Sequence, residues 1–252
     1  MNYSDKELTK NKFLGNKLEI LQLSEGYRGN MDSVLLAASV AAKSGQKVLE
    51  LGCGNGVALC CLLYRVSGLE VFGIEIDKRA ADLCKRNIDL NMFKATIFNI
   101  NIAKTSRELK SVSFDHVFMN PPYFKKNSVK KSHTLSSHQA KVESMPLSAW
   151  FSVAKSRCKP KGKITIIQRV ERLPDIIKCL NGHFGQVTVQ PISSFKDSSP
   201  KTVIVQATKT SGAAFKLLAP KIVHRRDGIS GKVVYEEEFK KILQCGHPLT
   251  LN

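Results

Sequence analysis

The sequence predicts an α/β domain in which a mainly parallel sheet has helices on both faces. From Lys47 onward, short apolar segments alternate with helical patterns of about ten residues, which is typical of strand–helix–strand units. The first of these segments, KVLELG, runs into a glycine-rich loop, and another, FDHVFMN, stops at two prolines. No internal repeat and no strong boundary interrupts the 252 residues, so we expect one domain over residues 1–252.

The N-terminal part, about residues 12–44, is predicted to form a hairpin followed by a helix. Apolar residues alternate around Leu18 and Leu23, with a slip of one residue at Ile20-Leu21 that we attribute to a bulge. Asp32 and Ser33 are expected to cap a helix from Val34 to Lys43.

The core, expected over residues 46–210, contains seven strand patterns and four helical ones. The strands are KVLELG, LEVFGIEI, ATIFNI, FDHVFMN, GKITIIQRV, QVTVQP and KTVIVQAT, and the helices are VALCCLLYRV, KRAADLCKRNIDLN, LSAWFSVAKSRCK and RLPDIIKCLN. Residues 123–146 are polar and basic, and a loop of that length in a compact domain is usually functional or disordered. A basic extension, residues 211–252, follows the core, and its pattern predicts a helix at 235–244.

Composition limits the partners and the compartment. The chain has 39 Lys and Arg against 21 Asp and Glu, a net charge of +18, which favours a nucleic-acid partner over solvated surface lysines alone. Seven cysteines without a CxxC pair indicate a reducing cytoplasm and no zinc site. The N-terminus is unlike a signal peptide, and the longest apolar run, VLLAASVAA, is shorter than the ~20 residues that span a membrane.

The segment ELGCGNG, residues 50–56, predicts a ligand site. Glycines at positions 52, 54 and 56 allow a tight turn that brings a ligand against bare backbone at a helix N-terminus. Glu75 ends the next strand, about 20 residues further on, where a carboxylate can accept both ribose hydroxyls of a nucleoside. The alternatives are a purely structural turn and an ordinary charge at a strand end.

The segments VLELGCGNG and FGIEID together resemble motifs I and II of the class I S-adenosylmethionine-dependent methyltransferases. This resemblance implies a Rossmann-like sheet of seven strands with an antiparallel last strand, and S-adenosylmethionine as cofactor. The family usually has an acidic residue at the end of its third strand, where this chain offers Asn99 or Asn101, and we favour Asn99. The expected cofactor-binding residues are Glu50, Gly52, Gly54, Asn55, Gly56, Glu75, Ile76, Asn99 and Asn120.

The corner Asn120-Pro121-Pro122-Tyr123 resembles the NPPY motif of family members that methylate a nitrogen on a planar group. The amide oxygen of Asn120 and the carbonyl of Pro121 can accept the two N–H groups of an amine, while Tyr123 offers a stacking face. The two prolines hold these acceptors rigidly. These four residues are therefore the expected catalytic set, with no metal required.

Adenine N6, guanine N2 and a glutamine amide all suit such a corner. The flanks EGYRGNMDSVLLAAS and LLAPKIVHRRDGISGKVVYEEEFKKIL resemble those of the bacterial tRNA1(Val) adenine-N6 methyltransferases, which implies adenine-N6 methylation of tRNA near the anticodon. By the same resemblance, Tyr27, Arg28 and Asp32 are expected near the cofactor. Basic side chains expected to contact RNA are Lys125, Lys126, Lys130, Lys131, Arg225 and Arg226.

Three alternatives remain open from the sequence. One is a glutamine methyltransferase of a release factor, although such enzymes usually carry a helical domain before the glycine loop. Another is an inactive methyltransferase-fold protein that binds nucleic acid, for which the changed third-strand acid is the only support. Methylation of DNA adenine is the third.

Overall fold

The computed structural model describes residues 7–24, 28–104, 107–122 and 145–251. Within these ranges the strands are β1 Leu8–Phe13, β2 Leu18–Leu23, β3 Lys47–Leu51, β4 Glu70–Glu75, β5 Thr96–Asn99, β6 Phe114–Met119, β7 Cys158–Arg169, β8 Phe184–Ser193, β9 Thr202–Lys209, β10 Lys216–Leu217, β11 Lys221–Ile222, β12 His224–Arg226 and β13 Val233–Tyr235. The helices are α1 Met31–Ser39, α2 Val57–Arg65, α3 Lys78–Leu90, α4 Arg107–Ser111, α5 Leu147–Arg157, α6 Leu173–Leu180 and α7 Glu237–Cys245.

A nine-stranded sheet forms the centre, in the order β10-β8-β9-β7-β6-β3-β4-β5, with β11 also paired to β8. Only β9 runs antiparallel to its neighbours β7 and β8, and the other described pairs in this sheet are parallel. The predicted sheet, with seven core strands and an antiparallel last strand, is confirmed. The two-residue strands β10 and β11 extend it beyond the prediction.

Apolar side chains point to both faces of the sheet, because the strands are buried on both sides. Along β6, Phe118 joins the cluster that contains α1, α2, α3 and α7, while Val117 and Met119 join the cluster that contains α4, α5 and α6. The helices therefore form two layers, as the alternation of strands and helices predicts.

The N-terminal hairpin differs from the prediction in its register. β1 pairs with β2 without interruption, from Leu8 opposite Leu23 to Phe13 opposite Leu18, so the expected bulge at Ile20-Leu21 is wrong. A regular strand is possible because Gln22, a polar residue, takes the buried position after Leu18 and Ile20.

Helix α1 also begins earlier than predicted. Asn30 is its N-cap, and the Asn30 side chain accepts a hydrogen bond from the backbone N–H of Asp32 at 2.9 Å. The expected cap at Asp32 and Ser33 is therefore wrong. The helix ends at Ser39 because Val40 turns to an extended conformation, four residues before the predicted end.

The parallel strands β3 to β8 all end at one edge of the sheet, which we call the carboxyl edge. The glycine loop and Asn120 follow β3 and β6, and Glu75 and Asn99 are the last residues of β4 and β5, so topology alone brings them to this edge. Among the described residues, no helix is long and apolar enough to cross a membrane, and no group of three or more His, Cys, Asp or Glu side chains could hold a metal ion.

Candidate active site

The glycine loop makes a tight turn between β3 and α2. Gly52, Gly54 and Gly56 all have positive φ angles, of 71°, 54° and 84°. The backbone N–H groups of Gly52 and Cys53 donate to the carbonyl of Ile74 at 2.8 and 3.0 Å, which holds the turn against the end of β4. A Cβ atom on Gly56 would lie 2.6 Å from the sulfur of Cys84, so a side chain at Gly56 is excluded by contact as well as by φ.

Glu75 joins this turn to the next one. One carboxylate oxygen accepts the N–H of Gly54 at 2.8 Å, and the other accepts the N–H of Asp77 at 2.9 Å. Burial raises the pKa of Glu75, and the two backbone hydrogen bonds oppose that shift. Each carboxylate oxygen can accept a further hydrogen bond, so the predicted interaction with ribose hydroxyls remains available.

Asn99 lies directly beside Glu75, its partner across β4 and β5. Its side-chain NH2 donates to the backbone carbonyls of Glu75 and Ile76 at 3.0 and 3.1 Å, which leaves its oxygen available as an acceptor. The side-chain oxygen of Asn101, in contrast, accepts the N–H of Ala103 at 2.8 Å. The side chain of Ile76 is 63% exposed and offers an apolar surface next to this amide.

Glu50 lies beneath the glycine turn, in the centre of the sheet. Its side chain is buried, and one carboxylate oxygen has no hydrogen-bond partner among the described residues. Burial, the largest cause, raises the pKa of Glu50 well above its ordinary value. A cationic or hydrogen-bond-donating ligand group would stabilise the ionised form of this carboxyl.

Asn55 is bonded to the N-terminal hairpin and to α3. Its side-chain NH2 donates to the oxygen of Gln22 at 3.0 Å, and its backbone carbonyl accepts a hydrogen bond from Asn87 at 2.8 Å. These two bonds occupy the side-chain NH2 and the backbone carbonyl of Asn55. Arg28 is bound to the N-terminal hairpin, where it donates to Thr9, Leu23 and Asn11.

The proline corner follows β6, beside β3. The side-chain oxygen of Asn120 is buried and has no hydrogen-bond partner among the described residues. The carbonyl of Pro121 accepts a hydrogen bond at 3.0 Å from Gln168, which lies buried in the neighbouring strand β7. The corner thus presents two acceptor oxygens, of which one is unused and the other retains a lone pair.

Several predicted residues lie outside the described residues. They are Tyr27, Tyr123, Lys125, Lys126, Lys130 and Lys131. Arg225 and Arg226 are described, and both are exposed on β12, which continues from β11 at the carboxyl edge.

Trp150 packs against the glycine turn, a contact that the sequence did not predict. It packs, partly buried, against the apolar cluster around α5. Its ring also covers the turn, since a Cβ atom on Gly52 would lie 2.8 Å from it.

Sequence reasoning missed three polar residues that hold the site together, Gln22, Asn87 and Gln168. All three are buried. Asn87 exchanges hydrogen bonds with the backbone of Leu21 and donates to Asn55, so it joins α3, the hairpin and the glycine turn. One signal for these residues was present in the sequence: each is a polar residue at a position where its strand or helix pattern predicts an apolar one.

The fold and the glycine turn are those of the class I methyltransferases, whose methyl donor is S-adenosylmethionine. A predicted O-methyltransferase from Agrobacterium tumefaciens has the same fold with a TM-score of 0.70, at 20% identity over 87% of this chain and 98% of that one. A 16S rRNA N2 methyltransferase from T. thermophilus, solved with S-adenosylmethionine and guanosine, gives 0.55 at 20% identity, over 80% of this chain and 50% of that one.

The chain belongs to the methyltransferase small domain family, whose model matches residues 28–194. Several relatives carry the name tRNA1(Val) (adenine(37)-N6)-methyltransferase, among them proteins of Shewanella sediminis and Porphyromonas gingivalis. That of Shewanella sediminis is 25% identical, over 68% of this chain and 70% of the relative. That of Porphyromonas gingivalis is 29% identical, over 65% of this chain and 67% of the relative.

The residues present fit S-adenosylmethionine. The turn offers bare backbone, and Glu75 offers hydroxyl acceptors. One oxygen of the buried Glu50 carboxyl has no partner among the described residues, and a ligand could supply one. The predicted cofactor is confirmed by the family.

Proposed function

We propose that this methyltransferase transfers a methyl group to the exocyclic N6 of an adenine in tRNA, near the anticodon. The relatives from S. sediminis and P. gingivalis, which are named for this reaction, support the substrate. The net charge of +18 favours binding of a polyanionic substrate such as tRNA.

The observation that carries the proposal is the buried side-chain oxygen of Asn120, which has no hydrogen-bond partner in the part of the chain that the structure describes. Buried polar atoms in folded proteins nearly always have a partner, and an exception needs an explanation. An N–H of the target amine would supply that partner. The same amine could donate its second N–H to the carbonyl of Pro121.

In this mechanism the protein orients an amine that is a poor nucleophile by itself, because its lone pair is delocalised into the base. S-adenosylmethionine supplies an electrophilic methyl group on sulfonium. Asn120 and Pro121 hold the two N–H groups and thereby fix the direction of the nitrogen lone pair, and Pro122 keeps the corner rigid. Tyr123 is proposed to stack on the base.

The remaining predicted residues have proposed roles in binding. We assign the cofactor to Glu50, Gly52, Gly54, Asn55, Gly56, Glu75, Ile76, Asn99 and Asn120. RNA phosphates are assigned to Lys125, Lys126, Lys130, Lys131, Arg225 and Arg226.

A labelled-cofactor assay tests this function against its nearest rival. The purified protein is incubated with S-adenosylmethionine labelled in the methyl group and either total tRNA from cells that lack the gene or a purified release factor. We expect label in tRNA and none in the release factor. Label in the release factor alone would show that the methyl acceptor is a glutamine side chain and not an adenine. Failure to bind S-adenosylmethionine at millimolar concentration would favour an inactive binding protein.

A further inference from the structure

The C-terminal extension forms a small, well-anchored hairpin at the carboxyl edge. We call residues 224–235, which comprise β12, β13 and their turn, the C-terminal hairpin. β11 pairs with the end of β8, and the backbone N–H groups of Val223 and His224 continue this pairing to Ser193 and Ser194 at 2.9 Å each. Val223 is buried in the core, and Lys221 forms an ion pair with Glu238 at 2.6 Å.

The turn of this hairpin is also fixed. The carboxylate of Asp227 accepts hydrogen bonds from the backbone N–H groups of Ile229 and Ser230 and from the Ser230 hydroxyl, at 3.2, 2.7 and 2.8 Å. These bonds, chiefly the one from the Ser230 backbone, lower the pKa of Asp227. The hairpin is therefore a preorganised projection.

Three aromatic rings form a stack at the base of this hairpin. Phe195, in the loop between β8 and β9, lies 5.6 Å from the ring of His224, and His224 lies 5.0 Å from Tyr235 with the two planes 26° apart. Tyr235 is the outermost ring, and it is 40% exposed. An exposed aromatic ring that is held in place from behind is a surface on which a nucleobase can stack.

The two segments that carry this stack are rich in cationic residues. Arg226 lies two residues from His224 on β12, so it is on the same face of the hairpin as Tyr235. Residues 194–201 and 224–236 contain five cationic side chains (Lys196, Lys201, Arg225, Arg226 and Lys232) against three carboxylates. Asp227 uses its carboxylate within its own turn, and Glu236 pairs with Arg225 at 3.8 Å, so Arg226 and the lysines supply the remaining positive charge. An aromatic ring among cations is the combination that binds single-stranded nucleic acid.

The distance from the hairpin to the proline corner can be spanned by a short single strand of RNA. Four strand-to-strand steps, β6 to β7 to β9 to β8 to β11, separate them, which amounts to ~19 Å at ~4.8 Å a step. A stacked single strand that advances ~3.4 Å per nucleotide covers that distance in about five or six nucleotides.

We propose that the C-terminal hairpin is a second RNA-binding element, in which Tyr235 stacks on a base a few nucleotides from the target adenine while Arg226 contacts the backbone phosphates. This proposal rests on the proposed function, since it takes the tRNA substrate as the ligand. It adds a binding surface that is separate from the cofactor site and from the proline corner.

The test compares three variants in binding to unmethylated tRNA purified from cells that lack the gene. Tyr235→Ala removes the ring, Tyr235→Phe keeps it, and Phe215→Ala removes an aromatic ring that is 55% exposed and precedes β10, away from the carboxyl edge. We expect Tyr235→Ala to raise the Kd for tRNA at least about fivefold, the lower range for loss of one base stack. The other two variants should remain within about twofold of the wild type, and all should keep the same affinity for S-adenosylmethionine.

A salt titration tests the role of Arg226. Arg226→Gln should lower the slope of log Kd against log salt concentration by about 0.7, the value for one phosphate contact on a single strand. Lys94→Gln is the matched control, because Lys94 is exposed and precedes β5, the outermost strand on the side of the sheet away from the hairpin. Equal slopes for these two variants would overturn the phosphate contact.

The outcomes separate this proposal from the proposed function. A wild type that methylates tRNA, with a Tyr235→Ala variant that binds tRNA equally well, would overturn the hairpin proposal alone. A wild type that binds tRNA through Tyr235 without methylating it would overturn the proposed function alone. A wild type that does not bind tRNA would overturn both.

Discussion

At the residue scale, the proposed site contains two buried oxygens that lack a hydrogen-bond partner among the described residues. Asn120 and Glu50 each keep a buried side-chain oxygen without a hydrogen-bond partner among the described residues. Leaving such an atom unpaired costs about 1–3 kcal/mol, more when the group is charged. Both residues follow or lie within neighbouring strands at the carboxyl edge, so we interpret the two oxygens as acceptors for the substrate and the cofactor.

Gln168 is expected to act as a positioning residue for the corner, because its NH2 group holds the carbonyl of Pro121 at 3.0 Å. Gln168→Leu removes that hydrogen bond and frees the corner to move. A displacement of about 1 Å at a reacting group can lower the rate by about a hundredfold. We predict a decrease in kcat for tRNA methylation of about ten- to a hundredfold, with the Kd for S-adenosylmethionine unchanged by calorimetry.

Gln190→Leu is the matched control for Gln168→Leu. Gln190 is equally buried, at 2% exposure against 1%, and donates to the carbonyls of Pro191 and Ala219 in the outer part of the sheet. Both variants should lose about 1–3 kcal/mol of unfolding free energy. Equal kcat values for the two would show that Gln168 is only structural.

At the element scale, the N-terminal hairpin is part of the support of the cofactor site. Asn87 on α3 accepts the N–H of Leu21 at 2.8 Å and donates to the carbonyls of Leu21 and Asn55 at 2.9 and 2.8 Å. Gln22 accepts a hydrogen bond from the Asn55 side chain. The hairpin, the glycine turn and α3 are therefore held together by amides that are buried between them.

Replacement of Asn87 by Leu is predicted to loosen this junction. The variant leaves three backbone groups of Leu21 and Asn55 unpaired, so we expect the free energy of unfolding to fall by about 3 kcal/mol in denaturant titration. The Kd for S-adenosylmethionine should rise, and hydrogen exchange at the Leu21 amide should accelerate. Lys85→Leu, on the exposed face of the same helix, should change none of these, and an Asn87→Leu protein as stable as the Lys85→Leu variant would contradict the account.

At the scale of the whole molecule, the sequence was most informative where a pattern repeats. Alternating strands and helices fixed the sheet, and because parallel strands end at one edge, they also fixed the relative places of Gly52, Glu75, Asn99 and Asn120. The two-residue strands β10 and β11 are too short to show any periodicity.

Long-range hydrogen bonds were equally inaccessible from sequence. Gln168 and Pro121 are 47 residues apart, and Asn87 and Leu21 are 66 apart, so no local pattern connects them. The register of the first hairpin was predicted wrongly for a related reason, since Gln22 is buried only because Asn55 and Asn11 lie close enough to bond it.

One measurement tests the central claim, that the proline corner holds an adenine amine for methylation. Wild-type protein and the Asn120→Ala variant are incubated with S-adenosylmethionine carrying a deuterated methyl group and tRNA from cells that lack the gene, and the digested nucleosides are analysed by mass spectrometry. We predict labelled N6-methyladenosine from the wild type and none from the variant, with the two affinities for S-adenosylmethionine within a few-fold of each other. Equal amounts of labelled N6-methyladenosine from both proteins, or a label on another nucleoside, would contradict it.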